Sequence, residues 1–312
     1  MSDYPAVNGP RPEDDPTLAQ LLEELRARYN NAIAGVLLYG SCLRSGNIYD
    51  GLLDLYLVCD SYRAAYGSGR LATANWALPP NVFYAETNRD GQVLRSKVTM
   101  ISLADFRRGC STAWFSSYIW GRFAQPTLIL DARDSQTRNL LEASLLEAAR
   151  TLLRRSVPTL PQQGSVTGLW ERSLALSYAT ELRTERSDRA SELATYATDF
   201  YRAIARLHAG SLGFDFKLDD TQGEWHYQSR IPSLRRGGAH LAWAMRRIQG
   251  KLLSICRLVK ALFTFEGGLD YIAWKLERHS GEKIVIPDKV RRRPLFFIWG
   301  FFWGLYRRGI FK

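Results

Sequence analysis

The segment from residue 35 to residue 60 constrains the fold of this chain more than any other. It holds two apolar runs, Val36–Tyr39 and Leu52–Val58, which are separated by Gly40-Ser41 and a polar loop. Short apolar runs bounded by glycine and polar residues predict buried β-strands. The segment therefore predicts a strand that ends in a tight turn or short helix, followed by a second strand that carries one acid, Asp54.

Three residues of this segment predict a site for a phosphorylated ligand. Gly40 has no side chain, so the backbone can come close to a ligand there. Ser41 follows at the start of a turn, where free N–H groups and a hydroxyl can hold phosphate oxygens. Asp54 lies among Leu, Tyr and Val residues, where a carboxylate is costly unless a cation meets it. A Gly-Ser pair after a strand is also common without any phosphate, and from these residues alone that alternative stays open.

The composition indicates a folded protein with an anionic partner. The chain has 312 residues, enough for two domains or one large one, and its hydrophobic content of 46% is ordinary for a globular protein. The net charge of +11 and the isoelectric point near 9.6 indicate nucleic acid, a phosphorylated substrate or an acidic lipid surface as the partner.

The cysteines and histidines argue against a zinc site and against a disulfide framework. The four cysteines show no CxxC spacing, and the four histidines are well separated. We therefore expect reduced cysteines, a reducing compartment and no histidine-based metal centre. The N-terminus lacks the apolar core of a secretory signal, and no apolar run reaches the length of about 18 residues that predicts a membrane span.

Alternating strand and helix patterns predict an α/β domain in the first half of the chain. The expected elements there are helix 17–29, strands 36–39 and 52–58, helix 61–66, strands 81–86 and 93–101, helix 103–121 and strand 126–131. The second half is expected to be mostly helical, with a helix at 138–155, one or two helices over 169–207, a helix at 241–265 and a polar loop at 209–239.

We expect the chain to divide into four parts. These are a flexible lead-in at 1–16, an α/β domain at 17–135, a helical domain at 136–288 and a basic aromatic tail at 289–312.

The tail predicts attachment to a membrane surface. Its apolar run, Pro294–Tyr306, corresponds to about 20 Å of helix, too short for a hydrocarbon core of roughly 30 Å. Arginines flank the run on both sides, and the Trp and Tyr residues within it prefer the level of the lipid headgroups. This pattern is typical of a helix in the plane of an anionic membrane, with a terminal helix packed against the core as the alternative.

Several motifs resemble those of one family. Lys97–Ser102 is similar to a Lys-Tyr-Gly-Val-Ile-Ser motif, and Gly121–Pro126 to a helix end with the pattern Gly-Arg-Leu-x-Lys-Pro. Leu176–Arg183 is similar to a Leu-Ser-Tyr-x-Gly-Asp-x-Arg motif. Over residues 35–265 the chain thus resembles the mitochondrial-type CTP:phosphatidate cytidylyltransferases, also described as translocator assembly and maintenance factors. That family, which has bacterial relatives, lies within the nucleotidyltransferase (polymerase-beta-like) superfamily.

The match has departures from the pattern. The wider superfamily places two acids two residues apart on the strand after Gly-Ser, whereas the first of these positions is Leu52 here. The family itself carries an apolar-apolar-Asp triplet, which Leu52–Asp54 matches. Cys42 stands where the family commonly has Gly, and Gln125 where it often has Lys. These two differences concern the shape of the phosphate turn and one positive charge near the nucleotide.

The resemblance implies an α/β fold and a Mg²⁺-dependent reaction. CTP and phosphatidic acid would give CDP-diacylglycerol and pyrophosphate, for the synthesis of phosphatidylglycerol and cardiolipin. The attacking phosphate monoester has a second pKa of about 6, by analogy with phosphorylated side chains. It is therefore already anionic at neutral pH and needs no dedicated general base. Mg²⁺ and basic side chains would screen the repulsion between the two anions. The implied location is the cytoplasmic face of a bacterial inner membrane, or the matrix face of the mitochondrial one.

The resemblance also assigns roles around the metal. Gly40 and Ser41 are expected to hold the β- and γ-phosphates, and Asp54 is expected to bind Mg²⁺. Three further acids are candidates for a second metal ligand, although each would equally suit a solvated loop or strand end: Asp50, Glu86 and Asp131.

Six basic residues are candidates for substrate binding. Lys97 is a candidate for a triphosphate contact, and Arg122 and Arg183 are candidate phosphate clamps because a guanidinium matches phosphate oxygens. Residues on the long C-terminal helix could receive the phosphatidate headgroup: Lys251, Arg257 and Lys260. For each of the six, a surface position or a structural salt bridge is the alternative.

Two other functions stay open from the sequence. One is a nucleotidyltransferase that acts on RNA or a small alcohol, although an apolar tail suits a nucleic-acid enzyme poorly. The other is a membrane-bound scaffold that has lost one acid and no longer turns over.

Overall fold

The structure is a computed structural model that describes residues 3–67, 69–182, 188–221, 223–264, 277 and 284–292, together with residues 297, 300, 301, 303, 304 and 307. It confirms the predicted fold class, because a mixed β-sheet with helices on both faces is followed by a mostly helical second half. Most of the predicted tail, 289–312, lies outside the described residues.

Five strands form the first sheet: β1 (Ile33–Tyr39), β2 (Leu53–Cys59), β3 (Asn81–Arg89), β4 (Gln92–Ser102) and β5 (Leu128–Ala132). Their spatial order is β3-β4-β2-β1-β5, and within it β2 and β4 run parallel while the other neighbours are antiparallel. All seven residues of β1 are buried, as expected of an apolar strand inside a sheet that is covered on both faces.

Helices make up most of the remaining described structure. In chain order they are α1 (Pro16–Arg28), α2 (Ser41–Ser45), α3 (Tyr62–Tyr66), α4 (Arg70–Ala77), α5 (Leu103–Cys110), α6 (Trp120–Phe123), α7 (Ser135–Ser156), α8 (Val166–Tyr178), α9 (Asp188–Tyr196), α10 (Thr198–His208), α11 (Ser233–Thr264) and α12 (Asp288–Arg292). A second, three-stranded sheet has the order β6-β8-β7 and consists of β6 (Gln163–Ser165), β7 (Asp215–Thr221) and β8 (Glu224–Arg230).

The first sheet separates two apolar cores. On one face, Leu38 and its neighbours pack against α1, which buries Leu21 and Leu25. On the other face, Leu37 and Tyr56 belong to a core that continues through α6, α7 and α8 into the second half of the chain. The two predicted domains thus share one continuous core, and their boundary at residue 135 stays a prediction.

The predicted flexible lead-in makes specific contacts with this core. The Tyr4 hydroxyl donates to the carbonyl oxygen of Thr127 and accepts from its backbone N–H, both at 3.1 Å. The Tyr4 ring also packs edge-on against Phe200. These contacts hold residue 4 against β5 and α10.

The single helix predicted at 103–121 is wrong, because α5 ends at Cys110. The chain turns back there, and Ile119 packs so closely against Gly109 that a Cβ atom at Gly109 would lie 2.9 Å from it. The segment 111–119 is irregular and leads into the short helix α6. Its aromatic residues, which the sequence suggested were on one helix face, are therefore brought to the site by a loop.

The polar loop predicted at 209–239 is also wrong in part, because it contains the hairpin of β7 and β8. The strict alternation of apolar and polar residues that predicts a strand is missing there, because two acids in succession, Asp219 and Asp220, occupy the end of β7. The rings of Phe216 and Tyr227 stack across the hairpin with their centroids 5.7 Å apart. Tertiary contacts of this kind outweigh the weak local preference of the sequence.

Candidate active site

Four side chains in register form a row across the first sheet. Tyr39 of β1 pairs with Asp54 of β2, and Lys97 of β4 pairs both with Asp54 and with Tyr84 of β3. Residues paired directly across a sheet project from the same face, so these side chains lie next to one another. The Lys97 ammonium is 3.7 Å from the Asp54 carboxylate, and both side chains are partly exposed. The sheet therefore gives Asp54 a cationic neighbour.

Gly40 has a conformation and a position that only glycine fits. Its φ of +93° and ψ of −157° belong to a region that side chains make almost inaccessible. A Cβ atom at this position would also lie 2.6 Å from Oδ2 of Asp54, far inside van der Waals contact. The turn between β1 and α2 can therefore lie directly against the carboxylate.

A polar cavity of about 300 Å³ opens over this turn. Gly40, Ser41 and Asp54 line it together with residues of the segment 117–125 and of the end of α8. Hydroxyl groups and basic side chains dominate the lining, which includes Lys97, Ser117, Arg122, Ser177, Thr180 and Arg189. The structure thus brings together five of the residues predicted from the sequence: Gly40, Ser41, Asp54, Lys97 and Arg122.

Arg122 is a largely buried cation in the wall of this cavity, with 14% of its side chain exposed. Its Nη1 donates to the hydroxyls of Tyr56 and Tyr118, both at 3.2 Å, and its Nη2 donates to the Glu181 carboxylate at 3.0 Å. Burial alone would lower the pKa of Arg122, but the surrounding tyrosines and Glu181 outweigh it and raise that pKa well above its ordinary value. Arg122 is therefore a fixed positive charge in a fixed orientation.

Tyr118 lies between two guanidinium groups. Its ring centroid is 4.5 Å from the Arg122 guanidinium carbon and 3.9 Å from that of Arg257. Burial would raise the pKa of Tyr118, but Arg122, Arg257 and Lys97 outweigh it and hold that pKa below its ordinary value. A tyrosine with a lowered pKa indicates a positive local potential, which favours a bound anion.

A second cavity, of about 490 Å³, adjoins the first. The two share Lys97, Tyr118, Arg122 and Glu181 in their linings. Away from this junction the walls of the second cavity are mostly apolar, with residues such as Val82 on the sheet side and Leu258 on α11. In the described part of the chain, five basic side chains but only two carboxylates line the two cavities: Lys97, Arg122, Arg189, Arg257 and Lys260 against Asp54 and Glu181.

Close contacts hold α11 against the site. A Cβ atom at Gly250 would clash with the carbonyl oxygen of Thr180, so the helix backbone lies directly on the turn that precedes Glu181. Arg246 is buried among the rings of Phe115, Trp120 and Trp243, and its Nε donates to the Phe115 carbonyl at 2.9 Å. The long helix is thus one wall of the second cavity.

The basic residues predicted on α11 differ in their surroundings. Arg257 lines the second cavity and donates from Nε to the carbonyl of Pro79, at 3.2 Å. Lys260 also lines it, but its ammonium donates to the carbonyls of Leu78 and Pro80, at 2.5 and 2.7 Å. Lys251 is exposed and lies outside both linings. Arg183 lies outside the described residues.

Lys260→Met is expected to remove a pH dependence of stability. Burial, together with Arg257, lowers the pKa of Lys260 to about 8, whereas the same side chain in the unfolded protein has its ordinary pKa of about 10.4. Between these values the unfolded state binds more protons, so this group makes the free energy of unfolding rise with pH from about 8 to 10. Solvent reaches the ammonium in part, so we expect a rise on the order of 1 kcal/mol.

The measurement is chemical denaturation of both proteins at pH 7.5 and at pH 9.5. Because other groups titrate equally in both proteins, the difference between their free energies of unfolding isolates Lys260. The same difference at both pH values would contradict a lowered pKa for this lysine.

Glu181 is a site carboxylate that was not among the predicted site residues. It lines both cavities and binds Arg122. The sequence did contain a signal for it, because Glu181 stands at the Asp position of the Leu-Ser-Tyr-x-Gly-Asp-x-Arg motif. Tyr39 and Tyr118 carried no comparable signal, since their roles depend on their neighbours in the fold.

The three acids predicted as second metal ligands lie elsewhere. Asp131 forms a short ion pair with Arg26 of α1, on the opposite face of the sheet. Glu86 lies on the edge strand β3, where it pairs with Arg95 at 3.0 Å. Asp50 is exposed in the loop before β2. Neither cavity, as far as the described residues line it, includes any of the three.

The oxygen-rich lining fits Mg²⁺ in one particular mode. Mg²⁺ is usually held by one or two carboxylates together with substrate phosphates and water. Asp54 and Glu181 line the polar cavity beside the hydroxyls of Ser41 and Thr180. Among the described residues there is no group of three or more His, Cys, Asp or Glu that could hold a metal. The donors therefore suit an ion that arrives with a phosphorylated ligand.

Comparisons with known proteins add little to this geometry. No family model and no curated protein matches the chain. Among solved structures, a nucleotidyltransferase-like protein from Exiguobacterium sibiricum is similar over 94% of this chain and 92% of its own, with 10% identity and a TM-score of 0.27. That likeness is too weak to carry an argument. The expectation of a nucleotidyltransferase fold therefore depends on the strand, the Gly-Ser turn and the acid-bearing second strand described above.

None of the described helices combines the length and apolar character needed to cross a bilayer.

Proposed function

We propose that this protein is a nucleotidyltransferase that transfers the cytidylyl group of CTP to phosphatidic acid, giving CDP-diacylglycerol and pyrophosphate. The observation that carries the proposal is the junction of two unlike cavities. One is polar and lies over Gly40 and Ser41, whereas the other has apolar walls, and they meet at Lys97, Tyr118 and Arg122. A triphosphate suits the first cavity, and a phosphate that carries a hydrocarbon chain suits the second.

The polar cavity has the groups needed to bind a nucleoside triphosphate. Gly40 lets the backbone approach the phosphates closely, and Ser41 adds a hydroxyl to the lining. Lys97, Arg122 and Arg189 offer positive charge, which the polyanion requires on entering a partly enclosed site. When bound at Asp54, Mg²⁺ would neutralise charge on the phosphates and polarise them.

The apolar cavity positions the acceptor. Its hydrocarbon part would lie between β3 and α11, and its phosphate would lie near Arg257 and Lys97. A phosphate oxygen of the acceptor then bonds to the α-phosphorus, and the bond to the bridging oxygen of the β-phosphate breaks. Pyrophosphate leaves with that electron pair. The excess of basic side chains at the junction would lower the repulsion between the two anions.

The acceptor is best identified with one nucleotide and several acceptors. The purified protein is given CTP labelled at the α-phosphate, with Mg²⁺ and either dioleoyl phosphatidic acid, a short RNA, glycerol or no acceptor. We expect label in a lipid product, with an equal amount of pyrophosphate, only when phosphatidic acid is present. Transfer to RNA or glycerol instead would support a nucleotidyltransferase of different specificity, and no transfer to any acceptor would overturn the proposal.

A further inference from the structure

The outward face of α11 is apolar over most of its length. Six of its residues, spaced alternately four and three apart, are between 47% and 64% exposed, and together we call them the α11 strip: Leu241, Met245, Ile248, Leu252, Ile255 and Val259. This spacing places all six on one side of a helix. An exposed apolar surface of this extent usually marks an interaction site.

The positive charge on α11 argues against a second copy of this helix as the surface that covers the strip. Its sequence contains seven arginines and lysines and no acid. Two of the basic residues, Arg247 and Lys251, are exposed beside the strip. A second copy of α11 on the strip would therefore bring like charges together, which is unfavourable.

The tail of the same chain would also bring like charges against α11 if it covered the strip. Residues 289–312 contain seven arginines and lysines and likewise no acid. An anionic lipid surface, by contrast, matches both the apolar strip and its basic border, as in helices that lie in the plane of a membrane.

The strip is continuous with the mouth of the apolar cavity. Leu258 lies on α11 between Ile255 and Val259, is 59% exposed, and also lines that cavity. A flat surface that covers the strip would therefore also cover the region of the mouth.

We propose that the α11 strip binds to the surface of an anionic bilayer, with the helix in the membrane plane and the mouth of the apolar cavity facing the headgroups. This surface lies outside the predicted tail and is an additional membrane contact. The binding itself does not depend on the transfer reaction, although the orientation would allow a lipid acceptor to enter from the membrane.

The test is binding of the full-length chain to vesicles. We expect the wild type to bind vesicles that contain about 30% phosphatidylglycerol in phosphatidylcholine, and to bind pure phosphatidylcholine vesicles much less. The double variant Leu252→Asp/Ile255→Asp should bind the anionic vesicles at least about tenfold more weakly, because it loses apolar contact and adds repulsive charge. Arg247→Gln/Lys251→Gln should weaken binding by about 25-fold at low salt, since each basic residue contributes about fivefold.

The matched control is Leu207→Asp, which changes an exposed leucine of α10 in the same way. It should bind vesicles like the wild type, and all variants should keep the wild-type circular dichroism spectrum. Vesicle binding that is unchanged in the Leu252→Asp/Ile255→Asp variant would overturn the proposal. So would light scattering that shows a dimer in the wild type and a monomer in this variant while vesicle binding stays the same.

The outcome is separable from the proposed reaction. Activity on a short-chain, water-soluble phosphatidic acid needs no membrane, so the Leu252→Asp/Ile255→Asp variant, whose changed residues line neither cavity, should retain it. If this variant loses vesicle binding but keeps its activity on the soluble acceptor, the result supports membrane binding by the strip. If the wild type itself shows no activity on the soluble acceptor, the result counts only against the proposed transfer reaction.

Discussion

Asp54→Asn is expected to lower the turnover of nucleotidyl transfer by about 10³-fold or more while leaving the fold intact. The amide has the size of the carboxylate but no charge, so it would bind a divalent cation poorly and would no longer pair with Lys97, 3.7 Å away. Because Asp54 is partly exposed, the substitution leaves no empty cavity and no deeply buried unpaired group. The measurement is pyrophosphate release from CTP and phosphatidic acid at saturating Mg²⁺.

Asp50→Asn is the matched control for this variant. Asp50 is an exposed acid in the loop before β2, outside both cavity linings. It should turn over within about twofold of the wild type, since surface changes of this kind have small effects. Near-normal turnover in Asp54→Asn would end the assignment of Asp54 as the metal ligand.

Gly40→Ala should lower activity by at least about 100-fold, because its new methyl group would occupy the space of Asp54 Oδ2. Two effects act together at this position, namely a backbone conformation that is unfavourable for alanine and the clash with the carboxylate. The first costs about 1–3 kcal/mol of stability, and the second displaces either Asp54 or the Gly40-Ser41 turn.

Gly69→Ala separates these two effects. Gly69 precedes α4 with φ of +85° and ψ of −145°, close to the values at Gly40, but a Cβ atom there would meet nothing within 4 Å. Both variants should lose similar stability in chemical denaturation, and only Gly40→Ala should lose activity. If Gly69→Ala lost activity to the same extent, backbone strain rather than contact with Asp54 would be the cause.

The local parts of the site could be predicted from the sequence. The strands around Gly40-Ser41 are apolar runs with clear ends, and their observed bounds differ from the predicted ones by a few residues. Asp54 could be singled out because a carboxylate in such a run needs a partner. For these residues, short-range pattern and final structure agree.

The parts that depend on contacts distant in sequence could not be predicted. Lys97 reaches Asp54 only because β2 and β4 pair in parallel with one particular register, which no local pattern specifies. Tyr118 was expected on a helix and instead lies on a turn, since the packing of Ile119 on Gly109 ends α5 early. Glu181 lies in the cavity wall because the fold brings it to Arg122, 59 residues away in the chain.

Gly250 has a consequence for the shape of the second cavity. A Cβ atom at Gly250 would clash with the Thr180 carbonyl oxygen, so α11 can lie this close to the turn before Glu181 only with glycine at this position. Any larger residue at this position would push α11 away from that turn. The width of the second cavity, which α11 helps to line, therefore depends on a glycine that lies outside the lining itself.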